Sequence, residues 1–406
     1  MPGAPRSAGG GTRDRRSAAR ARHPAASVTG APRPAPHLPV PPAAGAISDI
    51  LPSVLAALTG QGADRLGLTA RLAGARRVVV LLIDGLGSRV LPLADGVAPV
   101  LGDIRAGRLG GLTEIACHFP STTPASLVSL GTGALPGAHG VLGFRVNVPG
   151  TDRVLDHTQW RDDPDPAAWQ PVRTRFETAG VSTAVLGPAA YDGSGLTVAA
   201  YRGAPYTGAS LRSLVDRVLA SDARLIYGYH PRVDTAGHLF GLGSAEWLAE
   251  VAAVDAMLGQ LVDLLPADTA LVVTADHGMI NVPDEDRIDF DAVPELRSGV
   301  RVLAGEPRVR YVHTLPGAQA DVLAAWRAVL GDTASVVSRS EAIDAGWYGP
   351  VPDAHRERIG DIVVTCLGRR VVLASELEPG ASALVGYHGS ITPEEVGIPL
   401  IVVPPR

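Results

Sequence analysis

Short runs of β-branched and aliphatic residues alternate along this chain with longer amphipathic segments, and this alternation limits the possible folds more than any other feature. Five such runs stand out, at residues 77–83, 182–186, 224–229, 270–275 and 398–403. Apolar runs of this length, separated by helical segments, are typical of strands buried on both faces of a parallel sheet. The sequence therefore predicts an α/β fold, with a largely parallel central sheet covered by helices on both faces.

The clearest helix covers residues 245–265. Its apolar residues recur at helical spacing before Pro266 ends the segment. The pattern changes between about residues 290 and 380, where strands are predicted at 309–313 and 361–367 and a helix at 318–330. We expect this stretch to be a small α+β subdomain inserted into one large domain that covers residues 46–406.

Residues 1–45 differ in composition from the rest of the chain. They contain seven Arg, nine Pro and one Asp among Ala, Gly and Ser, with few large apolar residues, so we expect a disordered tail. The Arg clusters are not followed by the apolar segment of a secretory signal, and no apolar run approaches the roughly 20 residues that cross a bilayer. We therefore expect a cytoplasmic protein without a membrane partner.

Charge and cysteine content exclude several classes of function. All 36 basic residues are Arg, so lysine-dependent Schiff-base chemistry is excluded. Without the seven Arg and one Asp of the tail, 29 Arg face 40 acidic residues, and this acidic balance does not suit a nucleic-acid polymer as partner. Cys117 and Cys366 are too few for a disulfide framework, which favours two buried free cysteines.

Three aspartates follow predicted strands. Asp84 and Asp276 each come directly after a strand, and Asp234 comes five residues after another. Ligands of open α/β sheets bind beyond the carboxyl ends of the strands, so we expect the three carboxylates at one rim of the sheet. Taken singly, each of them is also a common turn or helix-cap residue.

Histidines accompany two of these aspartates. His277 follows Asp276 directly, and His238 lies four residues after Asp234, on the same face of a helical turn. His388 lies in a glycine-flanked loop, which indicates close backbone approach, although a surface loop would explain it as well. Carboxylates and imidazoles together are suitable ligands for Zn²⁺ or a similar divalent ion.

A candidate nucleophile lies in the segment Phe-Pro-Ser-Thr-Thr-Pro-Ala-Ser-Leu, at residues 119–127. Pro124 favours the first position of a helix, which places Thr123 at the N-cap of a helix running to about Leu130. The free N–H groups and the positive dipole at a helix start favour phosphate binding. A threonine hydroxyl needs a metal ion or a base for activation, and by position alone Thr123 is also an ordinary helix cap.

Taken in chain order, these residues resemble the active-site set of the alkaline phosphatase superfamily, and within it the nucleotide pyrophosphatase/phosphodiesterase branch. The stretches that carry the resemblance are Val-Leu-Leu-Ile-Asp-Gly-Leu-Gly around Asp84, Phe-Pro-Ser-Thr-Thr-Pro followed by Gly131-Thr-Gly and Pro136-Gly-Ala-His-Gly, Asp234 to His238, Thr274 to Gly278, and Gly386 to Gly389. They lie within residues 75–404. The resemblance implies an alkaline-phosphatase-like catalytic domain over nearly the whole predicted folded part.

The resemblance also implies a site with two divalent ions, typically zinc. Two groups of residues would hold them: Asp234, His238 and His388 the first, and Asp84, Asp276, His277 and Thr123 the second. In the implied mechanism Thr123 attacks phosphorus and forms a phosphothreonine intermediate, which water then hydrolyses. The implied substrate is a small phosphodiester or pyrophosphate, for example a nucleotide.

Two features leave the substrate open. Diesterases of this branch commonly have an Asn that binds a phosphate oxygen, whereas this chain has Ser126, which is shorter and has fewer donors. The branch often binds a nucleobase between aromatic side chains, and here Tyr191, with Tyr201 and Tyr206, is the candidate, unless these tyrosines are ordinary packing residues. A phosphomonoesterase and a phosphonate hydrolase share the implied metal site and remain alternatives.

Other branches of the superfamily fit the sequence less well. Neither cysteine lies in a Cys-x-Pro-x-Arg context, which disfavours a sulfatase, and Thr123 argues against the phosphomutases, which use Ser. An alternative of another class is a non-catalytic relative that binds metal or phosphate only. All seven implied positions are filled in this chain, which favours an enzyme.

Overall fold

The computed structural model of the protein describes residues 45–406, and that part of the chain contains seventeen strands and sixteen α-helices. The strands are β1 (Arg77–Ile83), β2 (Gly111–Ala116), β3 (Arg145–Asn147), β4 (Val154–Asp156), β5 (Thr183–Gly187), β6 (Tyr206–Gly208), β7 (Leu225–His230), β8 (Thr269–Thr274), β9 (Ile280–Asn281), β10 (Arg287–Asp289), β11 (Val300–Glu306), β12 (Val309–Thr314), β13 (Ala334–Ser338), β14 (Ile362–Cys366), β15 (Val371–Leu373), β16 (Gly386–Tyr387) and β17 (Gly397–Val403). The helices are α1 (Ile50–Thr59), α2 (Leu68–Arg71), α3 (Pro99–Arg105), α4 (Thr123–Thr132), α5 (Pro136–His139), α6 (Pro166–Trp169), α7 (Gly195–Tyr201), α8 (Leu211–Leu219), α9 (Arg232–Phe240), α10 (Ala245–Leu264), α11 (Pro294–Arg297), α12 (Gln319–Leu330), α13 (Arg339–Asp344), α14 (Asp353–Arg356), α15 (Pro379–Ser382) and α16 (Pro393–Val396). The predicted disordered tail lies, apart from Gly45, outside the described residues.

Seven strands form the central sheet, in the order β2-β17-β8-β1-β7-β5-β6. The strands from β8 to β6 pair in parallel, whereas β17 runs antiparallel to both of its neighbours, β2 and β8. Residues 78–82 of β1 are completely buried, as expected for a central strand of a sheet flanked by helices. The predicted α/β fold is confirmed, and all five predicted strands are present with their bounds shifted by at most one residue.

A second sheet of four antiparallel strands, β11-β12-β14-β13, has a core of its own. Val312, Trp326, Ile362 and Cys366 are completely buried in that core, which α12 covers. The strands predicted at 309–313 and 361–367 are β12 and β14, and the helix predicted at 318–330 is α12. The extent of the insert, residues 290–380, stays a prediction.

Strand register brings the carboxyl ends of β1, β7 and β8 together. Leu82 of β1 pairs with Thr274 of β8 and with Tyr229 of β7, so the residues that follow these strands lie side by side at one rim of the sheet. A short ladder between β9 and β16 and an isolated bridge between Ser121 and Gly389 bring two further loops to the same rim.

Buried polar contacts connect the helices that surround the sheet. Asp255, in the middle of α10, accepts hydrogen bonds from the N–H groups of Val100 and Leu101 at the start of α3, at 3.2 and 2.8 Å. These N–H groups have no partner within their own helix, so Asp255 acts as the cap of α3. Cys117 and Cys366 are buried and free, as predicted. None of the helices within residues 45–406 is both long enough and apolar enough to cross a membrane.

Candidate active site

The seven residues predicted for the metal site and the nucleophile meet at the rim of the central sheet. They come from five places in the chain: Asp84 after β1, Thr123 at the start of α4, Asp234 and His238 on α9, Asp276 and His277 after β8, and His388 after β16. Because α9 follows β7 after a single residue, the spacing of four between Asp234 and His238 directs both side chains to this rim.

The three histidines share one orientation. Each donates its Nδ1 proton to a backbone carbonyl oxygen, that of Gly386 for His238, Gly278 for His277 and Ser121 for His388, at 2.8, 2.9 and 2.9 Å. A carbonyl oxygen can only accept, so the neutral rings carry their proton on Nδ1 and direct the Nε2 lone pair into the site. Backbone carbonyls hold metal-binding histidines in this way.

Two of these lone pairs face each other. The Nε2 atoms of His238 and His388 are 3.2 Å apart, and Asp234 Oδ1 lies 3.3 Å from the first and 3.8 Å from the second. Burial, followed by the nearby His277 and His238, lowers the pKa of His388 well below its usual value, so that ring stays neutral. Facing lone pairs repel each other unless a cation lies between them, and these three ligand atoms could hold one.

The second group of ligand atoms surrounds His277. Its Nε2 lies 3.5 Å from Asp84 Oδ1 and 3.3 Å from Asp276 Oδ2, and both oxygens are buried without a hydrogen-bond partner. Asp84 Oδ1, His277 Nε2 and a carboxylate oxygen of Asp234 also lie close enough to one another to hold an ion. Burial, and then the charges of Asp276 and Asp234, raise the pKa of Asp84 well above its usual value.

These observations test whether the residues fit divalent ions. Unpartnered carboxylate oxygens crowd against imidazole lone pairs, and a cation would satisfy all of them at once. Nitrogen and oxygen donors in this number are suitable for Zn²⁺. The residues therefore fit the ions that the sequence resemblance implies.

A glycine permits the close approach of two of these elements. Gly85 follows Asp84 with a φ of 72°, and a Cβ at this position would lie 2.9 Å from the Cα and Cβ atoms of Asp234. A side chain here would therefore push Asp234 away from Asp84.

Thr123 is the first residue of α4, and the N-cap is Thr122, which has extended backbone angles. The prediction of Thr123 as the N-cap was wrong by one residue, because Pro124 occupies the second helical position rather than the first. The Thr123 hydroxyl lies 3.1 Å from His277 Nε2, and the residue is 8% exposed. The hydroxyl is thus both next to the second ligand group and at the start of a helix.

Thr123 is one of the residues that line a cavity of about 250 Å³. The residues that line it are all uncharged, namely Thr123, Leu127, Thr158, Gln159, Tyr191, Ser194, Leu196, Thr197, Tyr201, Tyr206 and Tyr229. Tyr191 lies at the opening, 42% exposed, with its ring centroid 6.2 Å from that of Tyr229. The three tyrosines suggested from the sequence therefore share one cavity with the candidate nucleophile. We call it the tyrosine pocket.

Ser126 is not among the residues that line the tyrosine pocket. It is completely buried, and its hydroxyl has no hydrogen-bond partner among the described residues. One turn along α4 from Thr123, Leu127 faces the pocket instead.

The sequence reasoning missed Tyr229, whose hydroxyl donates a hydrogen bond to Asp84 Oδ2. It is the next-to-last residue of β7. The period of two in a strand places Tyr227 and Tyr229 on one face, but only the register with β1 shows that this is the face of Asp84.

A family comparison extends over most of the described chain. The model of the type I phosphodiesterase / nucleotide pyrophosphatase family matches residues 78–391, a span that contains every candidate site residue. The chain belongs to this family. An uncharacterized pyrophosphatase/phosphodiesterase of Schizosaccharomyces pombe is 27% identical over 233 residues, which are 53% of this chain and 47% of that protein. The chain thus matches about half the length of this relative.

Solved structures of low sequence identity share the fold. Murine ectonucleotide pyrophosphatase / phosphodiesterase 5 superposes with a TM-score of 0.65 at 20% identity, over 81% of this chain and 88% of that one. Phosphonoacetate hydrolase from Sinorhizobium meliloti, in complex with phosphonoformate, gives a TM-score of 0.61 at 20% identity, over 81% and 90% of the two chains. The family's fold is therefore the fold of this chain.

Proposed function

We propose that this protein hydrolyses a phosphodiester or pyrophosphate bond in a small substrate, with Thr123 as nucleophile and a phosphothreonine intermediate. Two divalent ions, zinc in our proposal, would be held by Asp234, His238 and His388 and by Asp84, Asp276 and His277. One observation carries this proposal: the Thr123 hydroxyl lies 3.1 Å from His277 Nε2 and also lines an uncharged pocket. The hydroxyl of the proposed nucleophile thus lies next to both the proposed metal site and a space for an organic group.

The chain's own groups supply much of the required chemistry. The Nδ1 proton of His277 is donated to Gly278, so its Nε2 lone pair is free for an ion, and the Thr123 hydroxyl, 3.1 Å from Nε2, would lie beside that ion. The first N–H groups of α4 have no partner within the helix and can bind the non-bridging oxygens of a phosphoryl group. Bound divalent ions would supply positive charge for the attacking and leaving oxygens.

The position of the tyrosine pocket favours a diester. In an in-line displacement the leaving group departs opposite the nucleophile, whereas the pocket is lined by the nucleophile itself. An organic group in this pocket therefore stays on phosphorus when the first bond breaks. A monoester has no such group, because its single organic substituent is the one that leaves.

Size and charge limit this organic group. The pocket volume of about 250 Å³ lies just below the roughly 300–1,000 Å³ of sites for drug-sized ligands, so it suits an uncharged group of one or two rings. A nucleobase has these properties, and an inactive form of the murine relative has been solved in complex with AMP. Phosphonate hydrolysis remains the second candidate, because phosphonoacetate hydrolase has the same fold.

The test is turnover of bis-p-nitrophenyl phosphate against p-nitrophenyl phosphate by zinc-loaded protein. We expect a higher kcat/KM for the diester, and we expect Thr123→Ala to abolish turnover while Thr123→Ser retains part of it. Acid quenching during turnover, followed by peptide mass spectrometry, should find a phosphoryl group on Thr123.

Each outcome has a definite meaning. A preference for the monoester would assign the protein to the phosphatases, and turnover of phosphonates alone would assign it to the phosphonate hydrolases. Undiminished turnover by Thr123→Ala would remove Thr123 from the role of nucleophile. No turnover of any of these esters by protein with two bound zinc ions would favour a non-catalytic relative.

A further inference from the structure

Tyr229 has two contacts at the site that the proposed reaction does not yet use. Its ring lines the tyrosine pocket, and its hydroxyl donates a hydrogen bond to Asp84 Oδ2. We propose that Tyr229 is a positioning residue, which holds the Asp84 carboxylate so that Oδ1 alone is offered to a divalent ion. This inference rests on the metal site of the proposed function.

The backbone places the two side chains in contact. Tyr229 on β7 pairs with Leu82 on β1, and Asp84 lies two residues after Leu82, on the same face of the sheet. The N–H of Asp84 donates to the carbonyl oxygen of His230 at 3.0 Å, which continues the ladder past the end of β1. The phenol is thus fixed relative to Asp84 by the paired strands as well as by its own hydrogen bond.

The two oxygens of Asp84 have different surroundings. Oδ2 accepts the hydrogen bond of Tyr229, whereas Oδ1 is buried without a partner and lies 3.5 Å from His277 Nε2. An unrestrained carboxylate could rotate about its Cβ–Cγ bond and exchange its oxygens. The tyrosine hydrogen bond stabilises the orientation in which the free oxygen faces the histidine.

Asp276 shows the same division of its two oxygens. Its Oδ1 accepts from the N–H groups of Gly85 and His277, both at 3.1 Å, and its Oδ2 is free and lies 3.3 Å from His277 Nε2. Each of these aspartates therefore has one oxygen held by protein donors and one left for a ligand. The donors to Asp276 belong to the backbone, but the donor to Asp84 is a side chain that a substitution can remove.

The phenol is suited to this task at neutral pH. A tyrosine hydroxyl, with a reference pKa near 10, stays protonated and can donate one hydrogen bond, as a carboxylate oxygen requires. Groups that orient metal ligands commonly affect metal affinity by about 10- to 100-fold when they are removed.

The experiment compares Tyr229→Phe with a control on the same strand, Tyr227→Phe. Tyr227 lies two residues earlier and is completely buried, and its hydroxyl is 3.0 Å from that of Tyr201, a buried residue that also lines the tyrosine pocket. Each variant keeps its ring and loses one hydroxyl hydrogen bond, but only Tyr229→Phe frees Asp84. The readout is the affinity of each zinc ion, measured by competition with a chromogenic chelator, so it does not depend on turnover.

We expect Tyr229→Phe to bind one of two zinc ions about 10- to 100-fold more weakly than the parent protein, and Tyr227→Phe to bind both normally. The d–d spectrum of the cobalt-substituted protein should change in Tyr229→Phe alone. Loss of kcat should be largely recovered at saturating zinc, because the pocket ring is retained.

Parent affinities for both ions in Tyr229→Phe would overturn the proposal, as would an equal loss of affinity in both variants, which would indicate a structural effect. An activity loss that zinc does not recover, with normal zinc affinity, would overturn it too and would point to contact with the substrate. If the parent bound two zinc ions without turnover, the proposed function would fail while this test of Tyr229 could still be made.

Discussion

Two of the buried groups of charged side chains differ in how their charges are neutralised. Arg308, which follows β11, and Glu395 of α16 are both completely buried and form a paired bidentate contact, with Nε–Oε1 at 2.9 Å and Nη2–Oε2 at 2.5 Å. Glu395 also accepts from the Ser390 N–H and the Thr392 hydroxyl, at 3.0 and 2.7 Å. This pair is neutral and satisfied by the protein alone.

The rim of the central sheet presents the opposite case. Asp84, Asp234 and Asp276 each have a buried oxygen without a hydrogen-bond partner, and the groups in contact with these oxygens are imidazoles rather than arginines. Burying charge without a partner is costly. The comparison teaches that the charge of Glu395 is neutralised by an arginine of the protein, whereas the carboxylates at the rim have no such partner and are available to an external cation.

The largest change in the free energy of unfolding should come from breaking the Arg308–Glu395 ion pair. Arg308→Met leaves the Glu395 carboxylate buried without its cation, so we expect the free energy of unfolding to fall by about 3–5 kcal/mol. Urea denaturation followed by circular dichroism measures it. The matched control is Arg89→Met, which removes the arginine of an exposed pair with Glu114, with Nη2–Oε1 at 2.9 Å.

The control should lose less than about 1 kcal/mol, since exposed ion pairs contribute little. Equal losses in the two variants would contradict the view that burial makes the Arg308 pair special. They would also remove the contrast with the rim of the sheet.

The next largest effect should be the stabilisation of the protein by zinc bound at the rim of the sheet. Zinc added to chelator-treated protein, at about 10 times its dissociation constant, should raise the free energy of unfolding by about 1.4 kcal/mol for each ion bound to the native state. Thermal unfolding at graded free zinc measures this stabilisation. In His238→Ala the stabilisation should fall by about half, because one of the two ligand groups is incomplete.

A stabilisation by zinc that His238→Ala leaves unchanged would mean that the ions bind elsewhere. Absence of any stabilisation in the parent would show that the unpartnered oxygens are tolerated without a cation. Either result would require another account of the difference between the two buried groups.

The fold and the meeting of the seven site residues could be predicted because both depend on short-range patterns. The strands are apolar runs with clear ends, Asp84 and Asp276 directly follow two of them, and the spacing of four between Asp234 and His238 is local. In parallel sheets the carboxyl ends of the strands generally meet at one rim. These signals do not depend on the exact packing of distant segments.

The parts that sequence reasoning missed depend on long-range geometry. The Tyr229 hydrogen bond requires the register of β7 against β1, and the Arg308–Glu395 pair joins residues 87 positions apart. Pro124 is compatible with either of the first two helical positions, so the cap could fall on Thr122 or Thr123. The complete burial of Ser126 likewise follows from how α4 packs.

The smallest expected effect gives the sharpest test of the comparison. The same substitution, Asp to Asn, should change the free energy of unfolding in opposite directions at two buried aspartates, Asp276 and Asp255. In metal-free protein Asp276→Asn removes a negative charge beside Asp84 and Asp234. Its amide oxygen can still accept from the N–H groups of Gly85 and His277, while its NH₂ can donate to His277 Nε2 in place of the Thr123 hydroxyl. We expect the metal-free form to gain on the order of 1 kcal/mol in stability.

Asp255→Asn should lose a similar amount, because both oxygens of Asp255 already accept N–H bonds at the start of α3 and an amide has only one acceptor oxygen. Parallel urea titrations with chelator present measure the change in the free energy of unfolding of each variant. With zinc present, Asp276→Asn should lose its advantage and bind less metal, whereas Asp255→Asn should bind both ions. Destabilisation of metal-free Asp276→Asn, as expected for Asp255→Asn, would mean that the protein satisfies the rim carboxylates as well as it satisfies the cap of α3. The unpartnered oxygens would then no longer be an argument for an external cation.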